Sequence, residues 1–181
     1  MRKTAAILAT GSEVQKGRIQ DTFTPVVVDK LAAYGVEVVY TAHTGDVRED
    51  IVAAIQHARG LGVDMILCTG GMSVDPDDNT PGAIRAAGPN IVSYGAPVLP
   101  GAMFLLGYFA DGMPILGLPG CVMYAKRTVF DLILPRVMAD DEIKAEEKAR
   151  QLISEFCENE YDSPADFSDP ENVSLAHSTT G

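Results

Sequence analysis

The stretch Thr69-Gly70-Gly71-Met72-Ser73, followed by Val74-Asp75-Pro76-Asp77-Asp78-Asn79-Thr80-Pro81, gathers residue types that can handle a small anion. Glycines let the backbone approach a ligand and present its N–H groups. The Thr69, Ser73 and Thr80 hydroxyls can bond a phosphate. The carboxylates of Asp75, Asp77 and Asp78 can hold a hard cation such as Mg²⁺. Grouped acids beside a phosphate cradle would repel the ligand unless a cation lies between them, and Asp78, just before a predicted helix entry, is the best-placed ligand for one. The bland alternative is a tight turn whose Asp and Thr side chains cap the next helix. Two further loops carry the same chemistry: Thr10-Gly11-Ser12-Glu13 and Leu118-Pro119-Gly120-Cys121. In a parallel sheet all three loops reach one edge, where helix N-termini add partial positive charge.

The elements that must position these loops follow from periodicity. An apolar run over 4–9 predicts a strand that ends in the first loop. Thr24 as N-cap and Pro25 at the first helical position predict a helix stopped by Gly35. A strand is expected over 36–40, and Asp46-Val47-Arg48-Glu49 reads as a capping box opening a helix that Gly60 and Gly62 end. The run 63–68 is a strand feeding the Gly70-Gly71 loop, and Thr80-Pro81 starts another helix. This alternation predicts a parallel sheet with crossover helices. Beyond it, Asp111-Gly112 between apolar runs marks a β-hairpin near residues 104–118. A long helix over 121–138 is expected to kink or stop at Pro135. The fold class is therefore α/β: three layers, α/β/α, with a mostly parallel sheet. Residues 1–140 form the domain, and 141–181 form an acidic helix with a flexible tail. From Glu155 onward there are seven acidic residues and no Lys or Arg.

Bulk composition narrows the function. The chain has 181 residues, 46% hydrophobic and 22% charged, with a formal net charge of -11. That balance argues against nucleic acid bound through a basic surface. The three cysteines, Cys68, Cys121 and Cys157, are odd in number and unclustered, which argues against a disulfide framework or a structural zinc site. With no signal-peptide pattern and no unbroken apolar span, a cytoplasmic protein without membrane contact is expected. Cys121, beside a predicted helix start, is either an activated thiol or a small residue in a tight place. His43, His57 and His177 are scattered and suggest no catalytic triad.

Taken together, Thr10-Gly11-Ser12-Glu13, Gly17-Arg18-Ile19-Gln20-Asp21-Thr22, Gly45-Asp46, Thr69-Gly70-Gly71-Met72-Ser73-Val74 with Asp78, Pro100-Gly101 and Leu118-Pro119-Gly120 resemble the molybdopterin-binding domain family. That family is shared by MogA/MoaB-type adenylyltransferases and the central domain of MoeA-type molybdenum insertases. The resemblance implies a pterin phosphate, molybdopterin or molybdenum cofactor, bound at the loop edge, with Mg and ATP/AMP in the reaction. It implies Thr10, Gly11, Ser12, Thr69, Gly70, Gly71, Ser73, Thr80, Pro100, Gly101, Pro119, Gly120 and Cys121 as ligand-binding residues. Asp78 and Glu13 would be catalytic, and Asp78 and Asp46 metal-binding. A homo-oligomer, trimer or dimer, is implied, with a molybdoenzyme as partner. The chain departs from the pattern at Ser12, where insertases have Asp, and at Leu99 and Ala102, where they have lysines. Met72-Ser73 replaces the second half of a Gly-Gly-Thr-Gly loop, and Cys121-Val122 replaces Asn-Pro. The stretch 76–80 is similar to a third branch, the CinA-like domains, some tied to pyridine-nucleotide breakdown. Three functions stay open: a cofactor-biosynthesis enzyme, a non-catalytic cofactor carrier or sensor, and a nucleotide-processing enzyme.

Overall fold

A computed structural model describes residues 2–15, 17, 20–73, 75, 78–95 and 100–139. The strands are β1 (Thr4–Thr10), β2 (Glu37–Thr44), β3 (Met65–Thr69), β4 (Asn90–Tyr94), β5 (Leu105–Tyr108) and β6 (Pro114–Leu118). They form one six-stranded sheet in the order β2-β1-β3-β6-β5-β4. β1 pairs parallel with β2 and β3, and β3 pairs parallel with β6. β5 runs antiparallel between β4 and β6. The helices are α1 (Ser12–Gln15), α2 (Phe23–Ala32), α3 (Arg48–Gly60), α4 (Thr80–Ala86) and α5 (Val129–Met138).

The sheet is covered on both faces, so its central strands are apolar throughout rather than alternating. From Ala5 to Thr10 every residue of β1 is buried, and all of β3 is buried. Successive side chains of a strand point to opposite faces, so each central strand feeds two cores. Ala5, Ile7, Met65 and Leu67 pack with Val27 and Leu31 of α2 and Phe130, Ile133 and Leu134 of α5. Ala6, Leu8, Ile66 and Cys68 pack with Ile51 and Ile55 of α3 and Ala83 and Ile84 of α4. This is the expected three-layer α/β fold. At the rim away from the strand C-termini, Arg2 donates to the carbonyls of Val137, Asp64 and Gly112 at 3.2, 2.9 and 2.9 Å. Among the described residues no helix is long and apolar enough to cross a membrane.

Several sequence expectations need correction. The 36–40 strand is longer, because β2 continues to Thr44 beside β1. The helix expected from Thr24 begins at Phe23, and its cap is the Asp21 carboxylate, which accepts the Phe23 and Thr24 N–H groups. Asp46 does not cap α3, whose N-cap is Val47 with no side-chain bond; Asp46 turns to Ser12 instead. β4 was not anticipated. The long helix over 121–138 is broken into a 3-10 turn, Gly120–Met123, and α5. Thr128 is extended there, and Asp131 Oδ2 accepts from its N–H and hydroxyl at 2.8 and 2.9 Å, which starts a new helix. Pro135 does not end α5, which runs on to the buried Val137 and Met138. The hairpin stands as expected: Phe109 N donates to Met113 O, and Gly112 takes φ +80 in its turn. The acidic helix and tail over 141–181 lie outside the described residues.

Candidate functional site

Because β1, β3 and β6 are parallel, their C-terminal ends share one rim. β5, antiparallel to β6, starts at that same rim. The sheet therefore delivers the loops that follow Thr10, Thr69 and Leu118, and the Pro100-Gly101 segment before β5, to one edge. This is where open α/β sheets bind ligands.

The loops after β1 and β3 touch directly. Gly70 has φ +83, and a Cβ on it would lie 2.1 Å from the Thr10 carbonyl oxygen. Gly71 has φ +51, and its Cβ would meet the Thr80 hydroxyl at 2.8 Å. Both positions need glycine for conformation and for space. Thr10 Oγ1 sits beneath them, 3.2 Å from the Thr69 carbonyl and 2.8 Å from Thr80 Oγ1. Thr10, Thr69 and Thr80 are all buried.

The α4 side of the rim holds the predicted carboxylates. Asp46 Oδ2 accepts from Ser12 N at 3.0 Å and Ser12 Oγ at 2.5 Å. Asn79 Nδ2 donates to the Asp46 carbonyl at 2.9 Å. Asp78 Oδ2 accepts from Ser73 N and Oγ at 2.5 and 2.6 Å. Each carboxylate thus spends one oxygen on a neighbouring serine. Among the described residues, no three His, Cys, Asp or Glu side chains gather as a metal cluster. Mg²⁺ is commonly held by one or two carboxylates plus ligand phosphates and water. Asp78 and Asp46 fit that lighter requirement. Glu13 lies in α1, on the same rim.

On the other face, α2 and the 3-10 turn enclose a cleft of 160 Å³ lined by Ala9, Thr10, Gln20, Asp21, Thr22, Phe23, Thr69, Gly70 and Met123. Its wall is the N-terminus of α2. Asp21 Oδ1 accepts from Phe23 N and Thr24 N at 2.9 and 3.0 Å; Oδ2 accepts from Thr24 Oγ1 at 2.5 Å and lies 2.8 Å from His43 Nε2. Burial works against the charged carboxylate here, but the bonds from Thr24, His43 and Phe23 outweigh it and lower its pKa. Thr22 Oγ1 donates to Met123 Sδ at 3.2 Å across the mouth.

The predicted residues therefore divide. Thr10, Thr69 and Gly70 line the cleft. Gly71, Ser12, Ser73, Asp46, Asp78 and Thr80 belong to the loops on the α4 side. Gly11, with φ +138, links them, its N–H donating to Thr44 O at 3.0 Å. Gly101 is buried against Val129 at the start of α5, where a Cβ would lie 3.0 Å from that side chain. Pro119 O accepts from Val122 N at 3.1 Å and shapes the 3-10 turn, and Gly120 is exposed. Pro100, Gly101, Pro119 and Gly120 reach the rim without lining the cleft. Of the two readings of Cys121, the small residue in a tight place is the one its surroundings favour: burial pushes the thiol pKa up, and a backbone hydrogen bond and the nearby Lys30 charge offset this only in part. Sequence reasoning missed Asp21 and His43 as partners. The available signal was Asp21 three residues before Thr24, with Pro25 next, a pattern in which Asp caps as well as Thr.

A mixed α/β sheet, parallel at its centre, gathers its glycine loops at the C-terminal rim of β1, β3 and β6, where open α/β sheets bind ligands. Residues 6–139 match the family described as "Probable molybdopterin binding domain", and the chain belongs to that family. Curated relatives include the CinA-like protein of Mycolicibacterium vanbaalenii, 40% identical over 80 residues, which are 44% of this chain and 19% of that protein. The match to the CinA-like protein of Mycobacterium tuberculosis is 40% identical over 76 residues, 42% of this chain and 18% of that one. The matches thus span about a fifth of those relatives' length. Among solved structures, the protein CinA of Thermoplasma acidophilum superposes with TM-score 0.63 at 18% identity, covering 75% of this chain and 98% of that one. The tungsten cofactor synthesizing protein MoaB of Pyrococcus furiosus gives TM-score 0.63 at 21% identity, covering 82% and 98%. The molybdopterin biosynthesis enzyme MoaB of Thermus thermophilus gives 0.59 at 21%, covering 81% and 100%. These structures share the fold.

Proposed function

We propose that the chain binds molybdopterin at this rim and acts in molybdenum cofactor biosynthesis, by Mg-dependent adenylyl transfer or by molybdate insertion. The carrying observation is the approach of Gly70 to Thr10, which brings the β1 and β3 loops together over a ring-sized cleft. A dry cavity of about 150 Å³ accepts benzene, so 160 Å³ leaves room for one six-membered ring, and a fused pterin would extend out through the cleft mouth. Backbone N–H groups of Gly70, Gly71 and Gly120, with the Ser12, Ser73 and Thr80 hydroxyls, would hold the phosphate. Asp78, helped by Glu13 or Asp46, would hold Mg²⁺ and offset charge in the transfer. A bound molybdopterin would supply dithiolene sulfurs for the metal cargo. The chain's own part is to orient the ligand and exclude water from it. A cytoplasmic homo-oligomer, dimer or trimer, goes with this reading.

The test is calorimetric titration with molybdopterin, followed by assays for ATP-dependent adenylylation and for molybdate insertion. Asp78→Asn should retain the fold and lose Mg-dependent turnover by at least about 100-fold. Asp78→Asn with turnover equal to the parent overturns the metal role. Tight binding without turnover selects the carrier reading, which the Leu99 and Ala102 replacements favour. The 40% identity to CinA-like proteins over 80 residues supports the third reading, nucleotide processing. Hydrolysis of ADP-ribose or nicotinamide mononucleotide would select it.

A further inference from the structure

We propose that Arg48 is the cation of the site: its guanidinium takes a phosphate or diphosphate of the ligand on the α4 side of the rim. This deepens the binding reading above and rests on it for the identity of the rest of the ligand.

Arg48 is the first residue of α3, a 13-residue helix, and it is exposed. A cation there meets the positive end of the helix dipole, which disfavours it. Asp46, Glu49 and Asp50 stand close by in the chain, yet among the described residues Arg48 makes no ion pair or hydrogen bond. Neither helix electrostatics nor ion pairing explains a cation at this position. Breaks of that kind are expected where function, rather than stability, chooses the residue.

Packing holds the side chain instead. A Cβ on Gly82 would lie 3.7 Å from Arg48 Cζ, 3.8 Å from Nε and 4.0 Å from Nη1. The carbon is nearer than the nitrogens beside it, so Gly82 meets the flat face of the guanidinium and not an edge. The N–H edges are left for another partner. Gly82 stands two residues after Thr80, about 3 Å of helix rise. β1 pairs parallel with both β2 and β3, so α3 and α4, which follow those strands, both begin at the ligand rim. Asn79 Nδ2 donates to the Asp46 carbonyl at 2.9 Å and ties the two helix starts together. The guanidinium therefore lies beside the segments that carry Asp46, Asp78 and Thr80.

The rim needs this charge. Asp46 and Asp78 make its α4 side negative, and the chain has Leu99 and Ala102 rather than lysines flanking Pro100-Gly101. The other described cations serve elsewhere. Lys30 is bound to Asp131, Arg59 to Asp111, and Arg85 lies over the Tyr94 ring. Arg2 and Lys3 sit at the opposite rim, and Lys126, Arg127 and Arg136 belong to the α5 face of the sheet. A guanidinium offers paired N–H groups that match two phosphate oxygens, which an ammonium does not.

The phosphate can come from a pterin or from a nucleotide, so the probes are inorganic pyrophosphate, molybdopterin and ADP-ribose. Each is titrated with Mg²⁺ into the full chain, Arg48→Gln and Arg48→Lys. Pyrophosphate should bind the parent. Arg48→Gln should weaken it about tenfold or more, and Arg48→Lys about threefold, since lysine keeps the charge without the fork. Lys3→Gln removes the same charge at the far rim and should change affinity by less than about twofold. The unliganded Arg48→Gln protein should melt no lower than the parent, because the change relieves the helix dipole. An arginine that served packing alone would lower the melting temperature and leave pyrophosphate affinity unchanged. In NMR of the parent, the arginine Nε–H signal that is missing from Arg48→Lys should shift as pyrophosphate is added. The assignment is overturned if pyrophosphate does not bind the parent, binds Arg48→Gln as tightly, loses as much affinity with Lys3→Gln, or leaves that signal unmoved. Whichever of molybdopterin and ADP-ribose loses affinity with Arg48→Gln identifies the source of the phosphate. If molybdopterin binds and all the probes ignore Arg48→Gln, the assignment fails and the function reading stands. If molybdopterin fails to bind while pyrophosphate and ADP-ribose do so through Arg48, that reading fails and the assignment stands.

Discussion

The two sides of the strand rim are built on opposite principles. On the α4 side the polar groups are bonded to one another: Thr10 with Thr80, Ser12 with Asp46, and Ser73 with Asp78. Those loops are partly exposed, and a ligand there must exchange existing bonds for its own. On the α2 side Asp21 is fully bonded, and Ala9, Phe23 and Met123 line the cleft beside it. The first arrangement suits a charged group that brings its own counterion and water. The second suits a rigid, neutral shape that displaces little. Stability invested in the rim is therefore concentrated where the β1 and β3 loops cross, and specificity is concentrated in the cleft.

The most severe test of that division is Gly70→Ala. The substitution strains a residue at φ +83 and drives a Cβ to 2.1 Å from backbone oxygen, which cannot rotate away. We expect a loss of about 3 kcal/mol or more in urea denaturation. Gly112→Ala is the matched control: φ is +80, but nothing lies within 4 Å of the new Cβ. Its cost should be about 1–2 kcal/mol, from backbone strain alone. Equal losses at the two positions would mean that the close crossing of the loops is not what the rim depends on.

Asp21 offers the next largest effect. Replacing it with Ala removes the cap of α2 and should cost about 1–2 kcal/mol. It also frees the Phe23 and Thr24 N–H groups, so the variant should gain a phosphate site at the start of α2 in addition to any the parent has. That gain would turn the α2 side into an anion site and sharpen the contrast between the two sides. The acid limb of stability reports the same carboxylate. The folded-state pKa of Asp21 lies below its ordinary 3.8, so its contribution is complete above that value and is lost as pH falls through the lowered one. Asp64, held down by the Lys3 and Thr4 N–H groups, and Asp111, bonded to Met113 N and Arg59, decline in the same range. The readout is therefore the difference between parent and Asp21→Asn. Because His43 beside Asp21 changes charge between pH 5 and 8, the carboxylate itself is read only in strong acid: the gap in denaturation midpoint should narrow on going below about pH 4. A gap that fails to narrow there would refute the assignment.

Much of this rim was legible in the residues. The run 63–68 ending in paired glycines pointed to a buried strand feeding a loop, and Asp111-Gly112 to a hairpin turn, and both elements are present. The cleft was not legible, for a specific reason. Asp21 and His43 are 22 residues apart, and the face on which His43 projects depends on register. Pairing steps from Ala5↔Val38 to Ala6↔Tyr40, skipping Val39. That single irregularity flips the alternation of β2 and carries His43 to the α2 side. No periodicity count reveals it, because the bulge is a property of the pairing and not of either strand. The break before α5 is similar: Tyr124 to Arg127 include good helix formers, and only the Thr128–Asp131 bonds show where the new helix begins. β4 escaped because its residues are all partly or fully exposed at a sheet edge, with an irregular register.

The smallest expected effect concerns Cys121, on the 3-10 turn that forms the outer wall of the cleft. If that side of the rim binds by shape, its thiol should be chemically quiet. Burial raises the thiol pKa, while a backbone hydrogen bond and the Lys30 charge recover only part of that. Thiolate is the reacting form, so a raised pKa slows alkylation at neutral pH. Iodoacetamide should label Cys121 more slowly than a free cysteine at pH 7, with the rate rising through pH 9. Cys68, fully buried and pushed up to about 12, should label only on unfolding. Cys121→Ser should change ring affinity by less than about twofold and stability by under about 0.5 kcal/mol. Rapid labelling at pH 7 that bound pterin suppresses would instead place a reactive thiolate at the cleft. The α2 side would then have to be counted as a place of chemistry as well as of recognition.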